Sequence, residues 1–329
     1  MQLQIWQLIN KSLEANIHVM LLYVLESKGS SPGRQGFFMA VNANGEMEGS
    51  IGGGIMEHKF VEMAKEKMKI QDARDREQGG VLKKQLHDKT ASADQSGMIC
   101  SGEQTILLYA VKEKDAATAQ AIIHSLEQCK NGTLRLSPEG LFFSPAIPAN
   151  NFQFSMQSET EWEYAEKTGY KNQLFIIGGG HCALAFSKLM RGMDFYITLY
   201  EEREALHTVL QNEFAHEINI VDDYTALSNL IPSGPNQYVV IMTFGYRTDD
   251  IALRSLIDKT FTYLGVLGSK KKMEKLFTDY KVDGISDTVL QRIRTPIGLA
   301  ISSQTPEEIA VSIAAEIIRV KNSQATKQH

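Results

Sequence analysis

The chain has 329 residues, which is long for one domain and favours two. Hydrophobic residues make up 43% of the sequence, enough for ordinary cores, and the formal net charge is −5 at pH 7. This mildly acidic balance argues against a dedicated nucleic-acid-binding protein, because such a protein needs a basic face to bind phosphates.

The sequence shows no pattern of a membrane span, a secretory signal or a cysteine-rich site. No apolar run reaches the roughly 18 residues that would predict a membrane span. The first residues lack the basic and apolar regions of a secretory signal. Cys100, Cys129 and Cys182 are too widely spaced for a disulfide framework or a zinc motif. We therefore expect a cytoplasmic protein without membrane or nucleic-acid partners.

Residues 1–145 are predicted to form an N-terminal α/β domain. Helically spaced apolar residues predict a helix over 4–15, and the compact apolar run 17–25 predicts a buried strand. The polar stretch 71–97 is expected to be irregular. The remaining predicted elements are strands at 37–41 and 104–111 and helices at 57–69 and 115–129, the last capped by Asp115.

A linker is predicted over residues 146–171, where prolines cluster nearby and periodicity is weak. Strands and helices then alternate, which predicts a parallel sheet covered on both faces in a Rossmann-like domain over 172–329. A last helix is predicted over 306–320, with Thr305 as its N-cap and Glu308 at its third position. The predicted strands of this domain are 173–177, 195–200, 217–221, 238–242 and 263–266, with helices between them such as 183–191 and 249–258.

The run Gly-Gly-Gly-His-Cys-Ala at 178–183 lies between the first strand and the first helix of this domain. It fits the G-x-G-x-x-A pattern of dinucleotide-binding turns. Gly178 would permit the tight turn, and Gly180 would let a pyrophosphate approach the helix N-terminus. The alternative is that the glycines only allow close packing.

Two residues near this turn are candidate contacts. Glu201 closes the second strand about 20 residues later, where a carboxylate binds the ribose of NAD and disfavours the 2′-phosphate of NADP. His181 either contacts a phosphate or caps the helix. Cys182 is interpreted as a small packed residue.

The N-terminal half holds two further glycine loops, at 29–36 and 49–54. Glycines leading into a helix expose backbone N–H groups that suit an anion. Candidate phosphate contacts in these loops are Arg34, Ser50, Gly52, Gly53 and Gly54. A purely structural role for the loops is the alternative, and Glu57 is explained by its place in the first helical turn.

Cys100 lies in a loop of small residues before a strand. Such a loop exposes a thiolate, although most cysteines are buried and inert. The sequence contains no Ser-His-Asp arrangement, no paired-carboxylate site and no metal-ligand spacing.

Several motifs in a fixed order resemble those of the XdhC/CoxI family of xanthine dehydrogenase accessory factors, over nearly the whole chain. In the first half they are Gly-Ser-Ser-Pro at 29–32, Gly-Ser-Ile-Gly-Gly-Gly at 49–54 followed by Glu57, and Cys-Ser-Gly-Glu at 100–103. In the second half they are Gly-Gly-Gly-His at 178–181, Leu-Gly-Val-Leu-Gly-Ser-Lys-Lys-Lys at 264–272, Thr-Pro-Ile-Gly-Leu at 295–299 and Thr-Pro-Glu-Glu-Ile-Ala at 305–310.

The resemblance implies a molybdenum cofactor chaperone that matures and delivers the cofactor to xanthine dehydrogenase or a related hydroxylase. It implies a homodimer, with a cysteine desulfurase as a further partner. Cys100 would be the ligand of molybdenum or its sulfur. Ser269 and Lys270, with Lys271, would neutralise phosphate, or else form a solvated start of a helix.

The chain departs from the family in four places. Ser101 interrupts the usual Cys-Gly-Gly, and Arg34 stands one place later than the arginine that commonly follows the loop proline. Ile55 stands where many members have a cysteine, and Phe244 stands where a histidine is common. Two other functions remain open. An NAD(P)-dependent oxidoreductase would need a general acid or base near the nicotinamide, and none is evident. A nucleotide-sensing interaction protein would bind nucleotide without turnover.

Overall fold

The computed structural model describes residues 2–69, 80–86 and 102–325 of the chain. The chain divides between Gly169 and Tyr170 into unit 1, Met1–Gly169, and unit 2, Tyr170–His329. Each unit has its own buried clusters of apolar side chains. None of the described helices is both long and apolar enough to cross a lipid bilayer.

Unit 1 consists of two antiparallel sheets and their helices. The first sheet has the order β3-β2-β1-β5-β4 and the second the order β7-β6-β9-β8. The elements are α1 (Gln2–Glu14), β1 (Val19–Gly29), β2 (Phe38–Asn42), β3 (Met47–Gly49), α2 (Gly54–Lys69), β4 (Val81–Leu86), β5 (Gly102–Ala110), α3 (Ala116–Glu127), β6 (Gly132–Ser137), β7 (Gly140–Ser144), β8 (Phe152–Ser158) and β9 (Glu161–Thr168).

Strand β1 lies at the centre of the first sheet and is buried on both faces along residues 19–25. Leu21 and Tyr23 face a core shared with α1, α3 and the second sheet. Leu22 and Val24 face a core shared with α2. Burial on both faces explains why this strand is a continuous apolar run instead of an alternating one.

The predicted linker over 146–171 differs from the structure, because β8 and β9 occupy most of it and pair within unit 1. Trp162 and Tyr164 face inward at alternate positions of β9, but the next inward position holds Glu166. The Glu166 carboxylate accepts hydrogen bonds from Tyr23 at 2.5 Å and from Tyr164 at 2.7 Å. A strand is recognised from sequence by its alternation of apolar and polar residues. Glu166 breaks this alternation in β9, and its partner Tyr23 lies too far away in sequence to reveal that the carboxylate is buried.

Two smaller predictions for unit 1 are corrected. Part of the stretch expected to be irregular is a strand, since β4 pairs with β5. Asp115 precedes α3 as predicted, but its side chain makes no hydrogen bond to that helix. It accepts from the Tyr109 hydroxyl and the Lys112 amide, both at 2.8 Å, because a buried tyrosine competes for the carboxylate.

Unit 2 is a six-stranded parallel sheet of order β12-β11-β10-β13-β14-β15, with an apolar cluster on each face. This order is that of the doubly wound Rossmann fold and confirms the predicted class. The elements are β10 (Asn172–Ile177), α4 (His181–Met190), β11 (Phe195–Glu201), α5 (His207–Leu210), β12 (Glu217–Ile220), α6 (Leu227–Leu230), β13 (Gly234–Ile241), α7 (Tyr246–Leu256), β14 (Phe261–Val266), α8 (Lys270–Val282), α9 (Asp287–Leu290), β15 (Ile293–Arg294) and α10 (Pro306–Ala325).

The predicted capping of the last helix is confirmed. The Glu308 amide donates to the Thr305 hydroxyl, and the Thr305 amide donates to the Glu308 carboxylate, both at 3.2 Å. This reciprocal pair satisfies N–H groups that the helix itself cannot, and Pro306 is the first helical residue.

Candidate functional site

The glycine turn of unit 2 lies where the strand order reverses, between β10 and its neighbours β11 and β13. Gly178 has a φ of +101°, and a Cβ added there would lie 2.5 Å from the Met242 carbonyl oxygen. A Cβ on Gly179 would lie 2.3 Å from the Val209 side chain. The fold itself therefore requires Gly178, whereas a side chain at position 179 would require the Val209 side chain to move.

Gly180 differs from its two neighbours. It precedes α4 with an ordinary φ of −69°, and a Cβ added there would meet no atom within 4 Å. Neither backbone conformation nor packing within the protein demands a glycine at this position. The missing side chain instead leaves the N-terminus of a ten-residue helix open to an incoming group.

A cavity of about 300 Å³ opens beside Gly180, at the ends of β10, β11 and β13. Its polar side chains include His181, His207 and Arg203, and its apolar ones are Leu206, Met242 and Phe244. No carboxylate is among the described residues that line it. The Phe244 side chain is 86% exposed, and the Arg203 guanidinium lies 5.3 Å from the centre of its ring. This combination suits a ligand with both an anionic and a planar part.

Glu201 ends β11 as predicted, but its carboxylate is buried and surrounded by N–H donors. Oε2 accepts from the Gly179 amide at 2.6 Å and from Arg203 Nη2 at 2.9 Å. Oε1 accepts from Arg203 Nε at 2.8 Å and from the amides of Glu202 and Arg203. Burial raises the pKa of Glu201, but the hydrogen bonds from Arg203 and Gly179 outweigh it and hold the pKa below its usual value.

The two residues after Gly180 have different surroundings. Gly180 is the N-cap of α4 and His181 is its first residue, so the helix-capping role considered for His181 is not borne out. His181 is exposed and lines the cavity. Cys182 packs against the apolar cluster that includes α10. Burial and the nearby Glu307 raise the pKa of its thiol, which agrees with a packed, protonated cysteine.

Ser269, Lys270 and Lys271 do not line the cavity. Ser269 caps α8 by accepting from the Lys272 amide at 3.3 Å. The Lys270 side chain is 83% exposed and lies 3.9 Å from Glu274. These positions match the solvated helix start that was the alternative for this segment.

Sequence reasoning missed a polar network beside the cavity. The buried Asp249 carboxylate accepts from Thr243 through its amide at 3.1 Å and its hydroxyl at 2.5 Å. Asp249 also forms an ion pair with Lys272. Thr243 lines the cavity, so this network fixes the segment that follows β13. An acidic residue in the first turn of a helix was the only local signal, and it does not reveal a partner.

In unit 1 the two glycine loops pack on each other. A Cβ on Gly33 would lie 1.9 Å from the Ile51 carbonyl oxygen, and one on Gly52 would lie 2.4 Å from the Gly33 nitrogen. The Gly33 carbonyl accepts from Gln104 at 2.7 Å. Arg34 is exposed and donates to the Gly29 carbonyl of its own loop at 3.3 Å.

The N–H groups of the second loop already hold an anion, the Glu57 carboxylate. It accepts from the Ile51 amide at 2.9 Å, the Gly53 amide at 3.0 Å and the Ser50 hydroxyl at 2.6 Å. Burial raises the pKa of Glu57, but these hydrogen bonds outweigh it and hold the pKa below its usual value. Gly52 donates to Ser50, and Gly53 and Gly54 have positive φ. The loop thus has an internal ligand at the place where we predicted phosphate.

The last predicted contact is the Cys100 thiolate. Cys100 lies outside the described residues. Ile55, in the first turn of α2, is 58% exposed. Within the described ranges, no three His, Cys, Asp or Glu side chains are grouped so that they could hold a metal ion.

Comparison with known proteins gives two family matches. Residues 12–77 match the XdhC and CoxI family, and residues 174–317 match the XdhC Rossmann domain. Together these ranges cover more than half of the chain.

Two curated relatives and one solved structure are similar. An uncharacterized protein YqeB of Escherichia coli K12 is 24% identical over 317 residues, which are 94% of this chain and 45% of that protein. A probable xanthine dehydrogenase subunit of Bacillus subtilis 168 is 26% identical over 151 residues, 46% of this chain and 43% of that protein. The chain thus spans less than half the length of these relatives.

The solved structure is that of a xanthine dehydrogenase from Bacillus halodurans. It is 22% identical and superimposes with a TM-score of 0.68, covering 97% of this chain and 96% of that one. At this identity the likeness shows a shared fold.

Proposed function

Because the chain belongs to the XdhC and CoxI family, we propose that it is an accessory protein that binds molybdenum cofactor for a xanthine dehydrogenase-type enzyme. The naming of one relative as a probable xanthine dehydrogenase subunit supports this partner. The observation that carries the binding proposal is the cavity of unit 2, with Gly180 open beside the N-terminus of α4. A cysteine desulfurase partner and a homodimer belong to the same proposal and rest on the family alone.

The residues of unit 2 fit the anionic end of such a cofactor. Molybdenum cofactor is a pterin that bears a phosphate, in some forms extended to a dinucleotide. Gly180 leaves open space at the start of the helix, and the lining contains Arg203 and His181 but no carboxylate among the described residues. The helix N-terminus would hold the phosphate, and Gly180 would let it approach the backbone. When bound, the cofactor supplies the molybdenum centre that a client enzyme requires.

The residues of unit 1 fit a phosphate less well. Glu57 occupies the amides of Ile51 and Gly53, and an added phosphate would meet its negative charge. We therefore propose that Ser50 and the glycines at 52–54 shape a rigid surface, while Arg34, which is exposed, remains available for the ligand. Cys100 stays a proposed ligand of molybdenum or its sulfur.

Copurification tests this function with a matched pair of glycine variants. The full chain is purified from a host that makes molybdenum cofactor, oxidised, and assayed for pterin fluorescence. Gly180→Val should lower the pterin content at least about tenfold, because the new side chain blocks the helix N-terminus. Gly192→Val is the control, since its Cβ also has an open environment, with the nearest atom 4.0 Å away, and lies outside the cavity.

Two results would contradict the proposal. Pterin at background level in the unchanged chain would exclude stable cofactor binding, and equal pterin in both variants would remove the cavity from the site. The oxidoreductase alternative predicts a different result, a steady loss of NADH or NADPH absorbance in the presence of a small-molecule substrate.

A further inference from the structure

Glu201 ends β11 at the position of a ribose-binding carboxylate, but other groups of the protein already occupy its oxygens. In Rossmann domains a free carboxylate at this position accepts hydrogen bonds from a ribose hydroxyl. The Glu201 side chain is 1% exposed and already accepts from five N–H groups, two of them on the guanidinium of Arg203. A ribose hydroxyl would have to displace Arg203 to reach it.

Displacing Arg203 is unfavourable because it would leave a buried negative charge. Three backbone amides, those of Gly179, Glu202 and Arg203 itself, would remain on the carboxylate, but no positive charge would balance it. Removing one member of a buried pair leaves the other charge uncompensated, and this costs more than the pair itself contributes. The ion pair is therefore expected to persist when a ligand enters.

Of the two members of this ion pair, only the positively charged Arg203 lines the cavity. Arg203 uses Nε and Nη2 to bind Glu201, and no acceptor for its Nη1 lies within the described parts of the chain. The Arg203 side chain is 42% exposed, and its guanidinium lies over the ring of Phe244. It lines the cavity together with His181 and His207. A guanidinium fixed on one edge and open on the other is suited to a phosphate oxygen.

We propose that Arg203 makes this cavity selective for a nucleotide whose ribose carries a phosphate, with Glu201 positioning the guanidinium instead of binding a free ribose diol. This inference rests on the proposed function in that a phosphate-bearing ligand occupies unit 2, and it adds a second phosphate position at the end of β11. It reverses the preference for NAD over NADP that Glu201 suggested from sequence. Phe244, exposed on the rim, offers its ring to the base.

Titration calorimetry on the full chain with NADP⁺ and NAD⁺ as probes tests the selectivity. These probes differ only in the phosphate on the ribose. NADP⁺ should bind at least about tenfold more tightly than NAD⁺, as expected of one charge-assisted phosphate contact. Adenosine 2′,5′-bisphosphate should exceed 5′-AMP by a similar ratio, which separates the ribose phosphate from the nicotinamide half.

Substitutions test whether Arg203 causes the preference for NADP⁺ over NAD⁺. Arg203→Ala should remove most of the NADP⁺ preference. Arg203→Lys should retain part of it, because lysine keeps the positive charge but cannot bind Glu201 with one edge and a phosphate with another. Glu201→Gln should lower the NADP⁺/NAD⁺ ratio by loosening the guanidinium, a readout that a purely structural role would leave unchanged. Arg254→Ala is the matched control, since Arg254 is 40% exposed, pairs with Asp250 and Asp283, and lies outside the cavity.

The inference is overturned if NAD⁺ binds as tightly as NADP⁺, if neither probe binds, or if Arg203→Ala weakens both equally. Its failure is distinguishable from that of the proposed function. Pterin that copurifies while NADP⁺ preference is absent refutes only the inference. NADP⁺ preference without pterin refutes only the cofactor-binding role.

Discussion

Lys272 forms an ion pair with the buried carboxylate of Asp249 and thereby joins the first turns of α8 and α7. Asp249 is 1% exposed and also holds Thr243 beside the cavity. Lys272→Ala should lower the free energy of unfolding by about 2–4 kcal/mol, because it leaves a buried charge unpaired. Chemical denaturation of the full chain, followed by circular dichroism, measures this loss.

Lys270→Ala is the control for this ion pair. Lys270 is two residues away in the same helix, is 83% exposed, and lies 3.9 Å from Glu274. Its replacement should change the free energy of unfolding by less than about 0.5 kcal/mol. Equal effects of the two substitutions would show that Asp249 does not depend on Lys272.

Glu57 should be essential to the second glycine loop of unit 1. Glu57→Ala removes the acceptor of the Ile51 and Gly53 amides and of the Ser50 hydroxyl, and should cost about 2–3 kcal/mol. Glu62→Ala, which removes an exposed acid of the same helix paired with Lys65, should leave the stability nearly unchanged. Thermal denaturation of both variants compares them, and a Glu57 variant as stable as the Glu62 variant would argue against an internal ligand.

Gly178 and Gly180 should differ in their tolerance of alanine. Gly178→Ala should destabilise the protein by about 2 kcal/mol or more, because its φ is +101° and the new Cβ would meet the Met242 carbonyl oxygen. Gly180→Ala should stay within about 0.5 kcal/mol of the unchanged chain, since its Cβ has open space. The denaturant midpoints of the two variants measure these changes in stability. A large loss of stability in Gly180→Ala would mean that the fold itself requires this glycine.

His216 should make unit 2 less stable in mild acid. Burial, with a smaller contribution from Arg191, lowers its pKa from 6.5 to about 4. Its Nδ1 accepts from the Ile197 amide at 2.9 Å and its Nε2 lies 2.6 Å from the Tyr170 hydroxyl, so the folded state holds the neutral ring. Because the unfolded chain binds the proton first, the contribution is full above pH 6.5 and is lost as the pH falls towards about 4.

The expected size of this loss is about 1–2 kcal/mol, reduced from the full linkage value because the ring is only half buried. Denaturation of the chain at pH 7 and pH 4.5 measures it. His216→Gln should flatten the difference between the two pH values, whatever its effect at pH 7. His58→Gln, at an exposed position in α2, should leave the difference unchanged.

Much of the fold could be predicted because its elements have a strong local period. Residues close in sequence determine the alternation of apolar strands and helices in unit 2 and the capping of α10 by Thr305, and the glycine run marks the turn at Gly178. Six strands of unit 1 escaped prediction, namely β3, β4, β6, β7, β8 and β9, and in β9 the buried Glu166 interrupts the apolar pattern. Such strands are stabilised by pairing with distant segments.

The candidate site could be located from sequence but not described. The sequence by itself determined the Rossmann order of elements, the family motifs and the position of the glycine turn, since periodicity and backbone freedom are local properties. Only the tertiary structure decided the partners of the buried charges. Arg203 pairs with Glu201, the amides of the second glycine loop bind Glu57, and Lys272 pairs with Asp249. A charge takes the partner that folding brings within hydrogen-bond distance, and nothing in the spacing of residues specifies which partner that is.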